Sequence, residues 1–201
     1  GNFLIIAYKE LRKVEMDILN RLQELELEKT GQILKPFSVI DISQFYGVEL
    51  DDFAHEVAIL SLWLAEHQMN IEFKVEFGEV IPSIPFKTND GIISGNSLRM
   101  DWEELCGSDS SEIFILGNPP YIGAKNLENH HKDDMKFVFS NLKGVGLLDY
   151  VCCWFFKAAQ FMHRKEVKIQ VAFVSASSIT QGEQVAVLWP EIIRNGVEIF
   201  L

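Results

Sequence analysis

The chain has 201 residues, 48% of them apolar and 23% charged, a composition that excludes disordered and fibrous proteins and leaves room for a substantial hydrophobic core. No stretch approaches the roughly 20 apolar residues that cross a bilayer, so we expect a cytoplasmic protein without membrane contact. The net charge of −11 does not suit a surface that neutralises nucleic-acid phosphates. If the chain acts on DNA, other regions must therefore supply much of the affinity.

The three cysteines are Cys106 and the adjacent pair Cys152 and Cys153, without C-x-x-C spacing. The pair lies in an apolar segment, where cysteine usually serves as a small hydrophobic residue. We therefore expect neither a disulfide framework nor a zinc site.

The first predicted element is a long amphipathic helix over residues 1–29, with Gly1 and Asn2 at its cap. Its apolar residues recur at helical spacing, with charged residues elsewhere. They are Leu4, Ile5, Tyr8, Leu11, Ile18, Leu22 and Leu25.

Extended and helical patterns then alternate along the chain. Residues 71–91, which contain Pro82, Pro85 and TNDG, are predicted to be irregular, and 96–105 to form a loop or helical turn. The predicted strands are 45–49, 91–95, 112–116, 167–177 and 197–201. The predicted helices are 51–70, 133–142, 147–165 and 182–195, the last of them broken or kinked at Pro190. The side chains predicted to lie in the core include Trp63, Leu64, Trp154, Phe155 and Phe161.

This alternation predicts an α/β protein with a mostly parallel sheet and helices on both faces. Ligands bind such sheets at the carboxyl ends of the strands. Polar residues lie at the carboxyl ends of three predicted strands, namely Glu49, Asn96 and the segment Asn118-Pro119-Pro120-Tyr121. We expect them to lie on one rim of the sheet and to form a site.

The two consecutive prolines after the apolar strand 112–116 predict a stiff extended loop, because neither has a backbone N–H to donate. Pro119 and Pro120 therefore offer carbonyl oxygens and no donors, and the Asn118 side chain offers a further carbonyl. Such a cluster of acceptors suits a ligand with an NH₂ group. Tyr121 adds an aromatic face on which a planar ring can stack.

The sequence NPPY after an apolar strand resembles the catalytic motif of S-adenosylmethionine-dependent N6-adenine DNA methyltransferases, a class I family with a Rossmann-like fold. Other segments resemble motifs of this family in the family's order: GNFL the tail of the first, FYGVELDD the second, GNSLRMDW the third, and LLDYVCCWFF and AFVSASSITQG later ones. The series is most similar to the MmeI-like methylase domain of bifunctional restriction and modification enzymes. The resemblance covers nearly the whole chain.

The resemblance implies that the target adenine is flipped out of double-stranded DNA. The Asn118 side-chain oxygen and the Pro119 carbonyl would accept hydrogen bonds from the adenine N6 hydrogens, and Tyr121 would stack on the ring. The implied catalytic residues are thus Asn118, Pro119, Pro120 and Tyr121. Methyl transfer would be direct, with no covalent enzyme intermediate and no metal.

For the cofactor S-adenosylmethionine, the resemblance implies that Glu49 accepts hydrogen bonds from both ribose hydroxyls. Leu50 would pack against the cofactor's adenine ring. Asn96 would stand where the family often has an aspartate that accepts from the cofactor's amino group. The remaining implied cofactor residues are Ser97, Asn118 and, around the methionine moiety, Gly1, Asn2 and Phe3.

Several parts of the family's proteins have no counterpart in residues 1–201. They are the first strand, most of the glycine loop, the N-terminal helical region and the C-terminal target-recognition domain. We therefore expect a partial catalytic domain that, by itself, binds S-adenosylmethionine weakly or not at all and is inactive. The missing strand is central in this fold. Its loss would leave two neighbouring strands with unpaired edges, which favour self-association.

Other interpretations also fit parts of the pattern. The same acceptors suit a methyltransferase acting on a ribosomal RNA guanine or a protein glutamine, and a non-catalytic module could keep the fold to bind partners. Glu49 could be a solvated carboxylate or helix cap, and Asn96 a turn residue. His130 and His131 are more typical of a solvated loop than of a metal site. Asp149 either starts a helix or borders the cofactor.

Overall fold

The computed structural model describes residues 2–33, 35–78, 91–106, 112–140, 142–164 and 167–200. The chain divides into two compact units, residues 1–95 and 96–201. Within the described ranges the α-helices are α1 Asn2–Thr30, α2 Asp52–Phe77, α3 Trp102–Leu105, α4 Asn129–Phe139, α5 Cys152–Arg164 and α6 Gln184–Arg194. The strands of the same ranges are β1 Gly47–Glu49, β2 Ile92–Ser94, β3 Glu112–Gly117 and β4 Lys168–Phe173. None of the described helices is both long and apolar enough to cross a bilayer.

In the first unit, β1 and β2 pair in parallel, with Val48 opposite Ile93. The chain between them contains α2, whose two ends follow from local chemistry. The Asp51 carboxylate accepts a hydrogen bond from Ala54 N at 2.8 Å where the helix begins. Gly78 ends the helix in the left-handed conformation, with φ of 70°, which glycine adopts without steric cost. Parallel pairing through a helical crossover is the arrangement that the sequence predicts.

The prediction of irregular structure from residue 71 onward is wrong for residues 71–77, which continue α2. This stretch contains neither glycine nor proline, so nothing local ends the helix before Gly78. Phe73 is fully buried and contacts Phe77 with ring centroids 4.7 Å apart. Tertiary packing thus extends the helix beyond its sequence pattern. Residues 79–90, which carry the proline and TNDG signals, lie outside the described residues.

Helix α1 confirms the predicted long helix, but its apolar stripe is only partly buried. The core of the first unit consists of Tyr8, Ile42, Phe45, Leu62, Ala65 and Met69. Apolar side chains of α1 that are 44–54% exposed include Leu11, Ile18, Leu22 and Leu25. On α2, Leu64 is 53% exposed, so its predicted place in the core is wrong, whereas Trp63 packs partly buried against the core. Gly1, the predicted cap, lies outside the described residues.

An ion pair occupies part of the buried face of α1. Arg12 Nε lies 3.3 Å from Glu15 Oε2, and these side chains are only 2% and 8% exposed. Arg12 Nη1 also donates to Tyr8 OH at 3.1 Å and to Asn70 Oδ1 at 3.3 Å. Glu15 Oε1 accepts from Val39 N at 2.6 Å, which ties the extended chain after α1 back onto the helix. Burial raises the pKa of Tyr8 to about 12.

In the second unit, β3 and β4 pair in parallel from Glu112 opposite Lys168 to Gly117 opposite Phe173. One face of this pair packs against α5 through a cluster that includes Ile113, Ile115, Trp102, Phe161 and Ile169. On the other face of β3, Phe114 is 62% exposed and Leu116 is 44% exposed. Among the described residues, β3 is therefore partly buried on one face and exposed on the other.

The larger core of the second unit lies among α4, α5 and α6. Cys152 and Cys153 are fully buried there as free thiols, which confirms that they pack as small hydrophobic residues. Burial raises the pKa of Cys152 to about 12. Of the predicted core aromatics, Phe161 is buried, and Trp154 and Phe155 pack partly buried against the core.

Three predictions for the C-terminal half need correction. The helix predicted at 133–142 spans Asn129–Phe139. Helix α6 continues through Pro190, so the predicted break is wrong. Leu188 and Ile192 are buried on either side of the proline, and their packing holds both turns. Residues 197–200 form no strand, because alternating apolar residues need a neighbouring strand to complete their hydrogen bonds.

Candidate active site

Residues 118–121 leave β3 as a loop with neither helix nor strand, which the consecutive prolines favour. Tyr121 OH donates a hydrogen bond to Asn118 Oδ1 at 2.7 Å. Pro119 is buried, Asn118 and Pro120 are exposed, and Tyr121 is 48% exposed. The Tyr121 hydroxyl therefore orients the Asn118 amide. Because a carbonyl oxygen has two lone pairs, Asn118 Oδ1 keeps the capacity to accept a second hydrogen bond.

Close packing against β4 fixes the start of this loop. Gly117 O accepts a hydrogen bond from Val174 N at 2.9 Å. A Cβ atom at Gly117 would lie 3.3 Å from the Phe173 ring, tighter than an ordinary van der Waals contact. Glycine at this position lets β4 lie close to the chain directly before Asn118.

Asp149 holds the residues that follow the loop. Its Oδ1 accepts from Ala124 N at 3.1 Å. Its Oδ2 accepts from Ser178 Oγ at 2.8 Å and from Gln184 Nε2 at 3.1 Å. Partial burial works to raise the pKa of the Asp149 carboxyl, but the hydrogen bonds from Gln184, Ser178 and Ala124 outweigh it and lower the pKa. The Asp149 carboxylate therefore joins three segments of the second unit, and α5 begins only at Cys152.

A second polar loop begins at Asn96. Asn96 Oδ1 accepts from Leu98 N at 2.9 Å, the contact of a turn residue. Asn96 Nδ2 donates to Asp134 Oδ2 at 2.9 Å. The amide is therefore held at both ends, with its oxygen still able to accept one further hydrogen bond.

Two indole rings hold Ser97. Trp102 Nε1 donates to Ser97 O at 2.8 Å, and Trp154 Nε1 donates to Ser97 Oγ at 3.0 Å. The hydroxyl hydrogen of Ser97 remains available as a donor, because its oxygen is the acceptor in the second bond. Ser97 is thus fixed in place while keeping one polar group for a ligand.

Asp134, on α4, is the centre of the contacts around the Asn96 loop, and its side chain is only 6% exposed. It accepts from Arg99 Nε at 2.6 Å and from Tyr150 OH at 2.6 Å, in addition to Asn96. Burial works to raise the pKa of Asp134, but hydrogen bonds from Tyr150, Asn96 and Arg99 and the positive charge of Arg99 lower it. Burial and the neighbouring Asp134 raise the pKa of Tyr150, which keeps the proton that it donates.

The remaining predicted cofactor residues lie in the first unit. Glu49 ends β1 with a partly buried side chain, and its backbone carbonyl accepts from Gly95 N at 2.8 Å. The side-chain cap of α2 is Asp51, so capping does not account for Glu49. Leu50 is 74% exposed. Asn2 and Phe3 lie in the first turn of α1.

One group of possible metal ligands occurs among the described residues: ligand atoms of Glu128, His130 and His131 lie within 4.8 Å of one another. His131 Nδ1 accepts from Glu128 N at 3.1 Å, so this ring nitrogen serves the start of α4. Glu128 and His130 are exposed. The contacts of the group are those of a helix N-terminus rather than of a preformed metal site.

The sequence reasoning missed three side chains of this framework: Asp134, Ser178 and Gln184. Asp134 lies in a polar stretch beside Asp133, and periodicity does not distinguish the buried carboxylate from the exposed one. Ser178 and Gln184 lie within or beside the segment AFVSASSITQG that resembles a family motif. The resemblance of this segment to a family motif was the signal that could have pointed to Ser178 and Gln184, but it did not single out either residue.

Comparison with known proteins agrees with the motif series. The family model for the MmeI DNA-methyltransferase domain matches residues 1–201. DNA methyltransferase A of Bacillus subtilis (strain 168) is 47% identical over 99% of this chain. A putative type II restriction enzyme and methyltransferase of Methanocaldococcus jannaschii is 33% identical over 66% of it. A solved structure of the Type IIL restriction-modification enzyme MmeI in complex with DNA matches 98% of this chain with a TM-score of 0.83 and 39% identity.

The chain spans 22% of the length of the Bacillus subtilis relative and 26% of the MmeI chain. The matches cover both units and agree with the parallel strand pairs and helical crossovers of an α/β methyltransferase. The chain therefore belongs to the family of MmeI DNA-methyltransferase domains, with the Rossmann-like α/β fold of class I methyltransferases.

Proposed function

We propose that this domain transfers the methyl group of S-adenosylmethionine to the N6 amino group of an adenine flipped out of double-stranded DNA, as part of a cytoplasmic restriction and modification enzyme. The observation that carries the proposal is the loop at residues 118–121, which presents an oriented amide oxygen beside a half-exposed tyrosine at the end of a parallel strand. Membership of the MmeI family and the DNA complex of MmeI support DNA as the substrate.

In this mechanism, Asn118 Oδ1 and the Pro119 carbonyl accept the two N6 hydrogens of the flipped adenine. Both acceptors draw the nitrogen lone pair out of ring conjugation. Tyr121 stacks on the ring, a contact worth about 1–3 kcal/mol per base. Buried Pro119 fixes its carbonyl within the stiff loop, so little reorganisation is needed when the base enters.

When bound, S-adenosylmethionine would supply an electrophilic methyl group on a sulfonium: formation of the N6–methyl bond would break the methyl–sulfur bond, release neutral S-adenosylhomocysteine and free one N6 proton. The donor set of this chain fits that cofactor. The Glu49 carboxylate offers two acceptors for a ribose diol at the end of β1, and Leu50 offers an exposed apolar side chain for an adenine ring. Asn96 Oδ1 and the Ser97 hydroxyl offer one acceptor and one donor. Gly1, Asn2, Phe3 and Asn118 complete the proposed cofactor contacts.

The test is methylation of duplex DNA by the full natural chain and by its Asn118→Ala and Tyr121→Ala variants. We expect N6-methyladenine, identified by mass spectrometry of the digested nucleosides, and a loss of at least about 100-fold in kcat for Asn118→Ala. Exposed Lys125→Ala, just after the loop, serves as the matched control. Methylation of another base, of ribosomal RNA or of a protein glutamine would contradict the proposal.

We also propose that residues 1–201 alone bind S-adenosylmethionine weakly or not at all, are inactive, and associate with one another through sheet edges. Each strand in the described ranges pairs on one edge only, which supports the association. Calorimetric titration tests the first point, and micromolar binding would contradict it. Sedimentation across a concentration series tests the last, and a monomer at every concentration would contradict it.

A further inference from the structure

Residues 149 and 150 bond to both polar loops of the second unit. The Asp149 carboxylate accepts from Ala124 N, and Tyr150 N donates to Ile122 O at 2.8 Å, so the chain just after Tyr121 is held at two points. The hydroxyl of the same tyrosine donates to Asp134, which holds Asn96 and Arg99. One dipeptide thereby links the candidate catalytic loop to the Asn96 loop.

We propose that Asp149 is a positioning residue for methyl transfer, which fixes the exit of the loop at residues 118–121 without touching substrate or cofactor. This inference rests on the proposed function and deepens it. The sequence leaves two roles open for Asp149, helix start and cofactor border, and the inference assigns it a third.

The geometry of the loop gives the reason. Its entry is fixed by β3 and by the close approach of Phe173 to Gly117. Its interior is stiff because of the two prolines. The position of the Asn118 oxygen therefore depends on where the exit is held, and the bonds from Tyr150 N to Ile122 O and from Ala124 N to Asp149 together hold it. A shift of the exit moves the acceptors as a unit.

The carboxylate form of Asp149 is required for this role. The donors that face it come from a backbone N–H at Ala124, the Ser178 hydroxyl and the Gln184 amide. An ionised carboxylate accepts from all three, because it has two oxygens and no proton. An asparagine would turn an NH₂ group toward at least one of these donors and displace it. The asparagine side chain in Asp149→Asn therefore has nearly the shape of the aspartate, but it carries an NH₂ donor in place of one acceptor oxygen.

The experiment compares wild type, Asp149→Asn and Ser178→Ala in the full natural chain. We expect Asp149→Asn to lower kcat roughly 10- to 100-fold, with the KM for S-adenosylmethionine changed by less than about threefold. Ser178→Ala removes one of the three donors and should lower kcat less, in the same direction. Asp133→Asn is the matched control, because Asp133 is exposed and pairs only with Lys136 on the surface.

A second measurement is independent of catalysis. Hydrogen exchange of the peptide that contains residues 118–126 should quicken in Asp149→Asn and stay unchanged in Asp133→Asn, because an asparagine cannot accept from all three donors and its hold on the Ala124 amide weakens. If wild type methylates no adenine, the proposed function fails, and this exchange still tests the positioning role. Unchanged exchange, or a folded variant with wild-type kcat, overturns the inference. A rise in KM for S-adenosylmethionine with unchanged kcat overturns it as well, and places Asp149 beside the cofactor.

Discussion

Two carboxylates of the second unit, Asp134 and Asp149, each accept hydrogen bonds from three groups. Asp134 is buried and Asp149 is partly buried. In both, the hydrogen bonds outweigh the effect of burial and lower the pKa, so each remains an anion inside the unit. Such residues organise the loops around the candidate site because one charged group can satisfy several donors at once.

The two adjacent aspartates of α4 allow a matched comparison of stability. We expect Asp134→Ala to lower the free energy of unfolding by about 2–4 kcal/mol, because it leaves the donors of Tyr150 and Asn96 unpaired. Asp133→Ala should change it by less than about 0.5 kcal/mol, because Asp133 forms an exposed pair with Lys136. Urea denaturation of both variants measures the difference. Equal effects would show that the Asp134 contacts contribute little.

The lowered pKa values also predict a dependence on pH. A carboxyl whose folded-state pKa is lowered contributes stability above its unfolded value of about 3.9 and loses it as the pH falls through the folded-state value. The free energy of unfolding of wild type should therefore fall more steeply below about pH 4 than that of Asp149→Asn. Denaturation curves between pH 2 and 6 provide the measurement. Parallel pH profiles would contradict the assigned hydrogen bonds.

At the scale of elements, three helices, α1, α2 and α5, are stabilised by different kinds of contact. α2 combines a carboxylate cap with a glycine end, α5 is held mainly by apolar packing, with a hydrogen bond from Cys152 Sγ to Gln184 Oε1 at 3.4 Å, and α1 relies partly on an ion pair. Buried ion pairs repay their desolvation only when they are well hydrogen-bonded. Glu15 meets this condition through Val39 N and Ser38 Oγ, whereas Arg12 Nε and Nη2 form no hydrogen bond with the described residues.

The ion pair of α1 gives a prediction for the first unit. Glu15→Ala should lower the free energy of unfolding by about 3–5 kcal/mol, because it leaves buried Arg12 without its counter-ion. Glu10→Ala on the same helix breaks only an exposed pair with Lys13 and should cost about 0–1 kcal/mol. A double variant, Arg12→Met with Glu15→Met, should be more stable than Glu15→Ala in thermal or urea unfolding. A double variant as unstable as Glu15→Ala would assign the cost to lost packing.

At the scale of the whole molecule, charge and length indicate that different regions of such enzymes supply the affinity for DNA and the candidate catalytic loop. The chain carries 18 basic and 29 acidic residues and spans about a quarter of the MmeI chain that it matches. Neutralising phosphates requires lysine and arginine, so regions outside the matched part of such enzymes are suited to supply the affinity for DNA. Under the proposed function, this domain would contribute the loop at residues 118–121.

We therefore expect residues 1–201 alone to bind a labelled DNA duplex with a Kd weaker than about 10⁻⁴ M at physiological salt. The full natural chain should bind far more tightly, with an affinity that falls as salt rises. Fluorescence anisotropy at two salt concentrations tests both. Micromolar binding by residues 1–201 would show that this domain carries a basic surface despite its net charge.

Local patterns predicted most elements of the fold. The 3.6-residue periodicity predicted α1, and apolar runs before polar residues predicted β1, β2, β3 and β4. Errors arose where packing, rather than the apolar pattern, set how far an element continues. Helix α2 continues beyond residue 70 because Phe73 is buried, and α6 continues through Pro190 because its neighbours are buried. Residues 197–200 alternate like a strand but have no strand pairing.

The sequence by itself determined the residue types on which the proposed function rests: the NPPY segment at residues 118–121, the carboxylate of Glu49 and the motif series that resembles the family. These are properties of residue type and order, which need no neighbours. The tertiary structure decided which polar groups are held together. Asp133 and Asp134 differ only in which side of α4 they occupy, and Asp149 meets Ala124, Ser178 and Gln184 only after distant segments pack. Hydrogen bonds between such segments depend on that packing, and no local pattern encodes it.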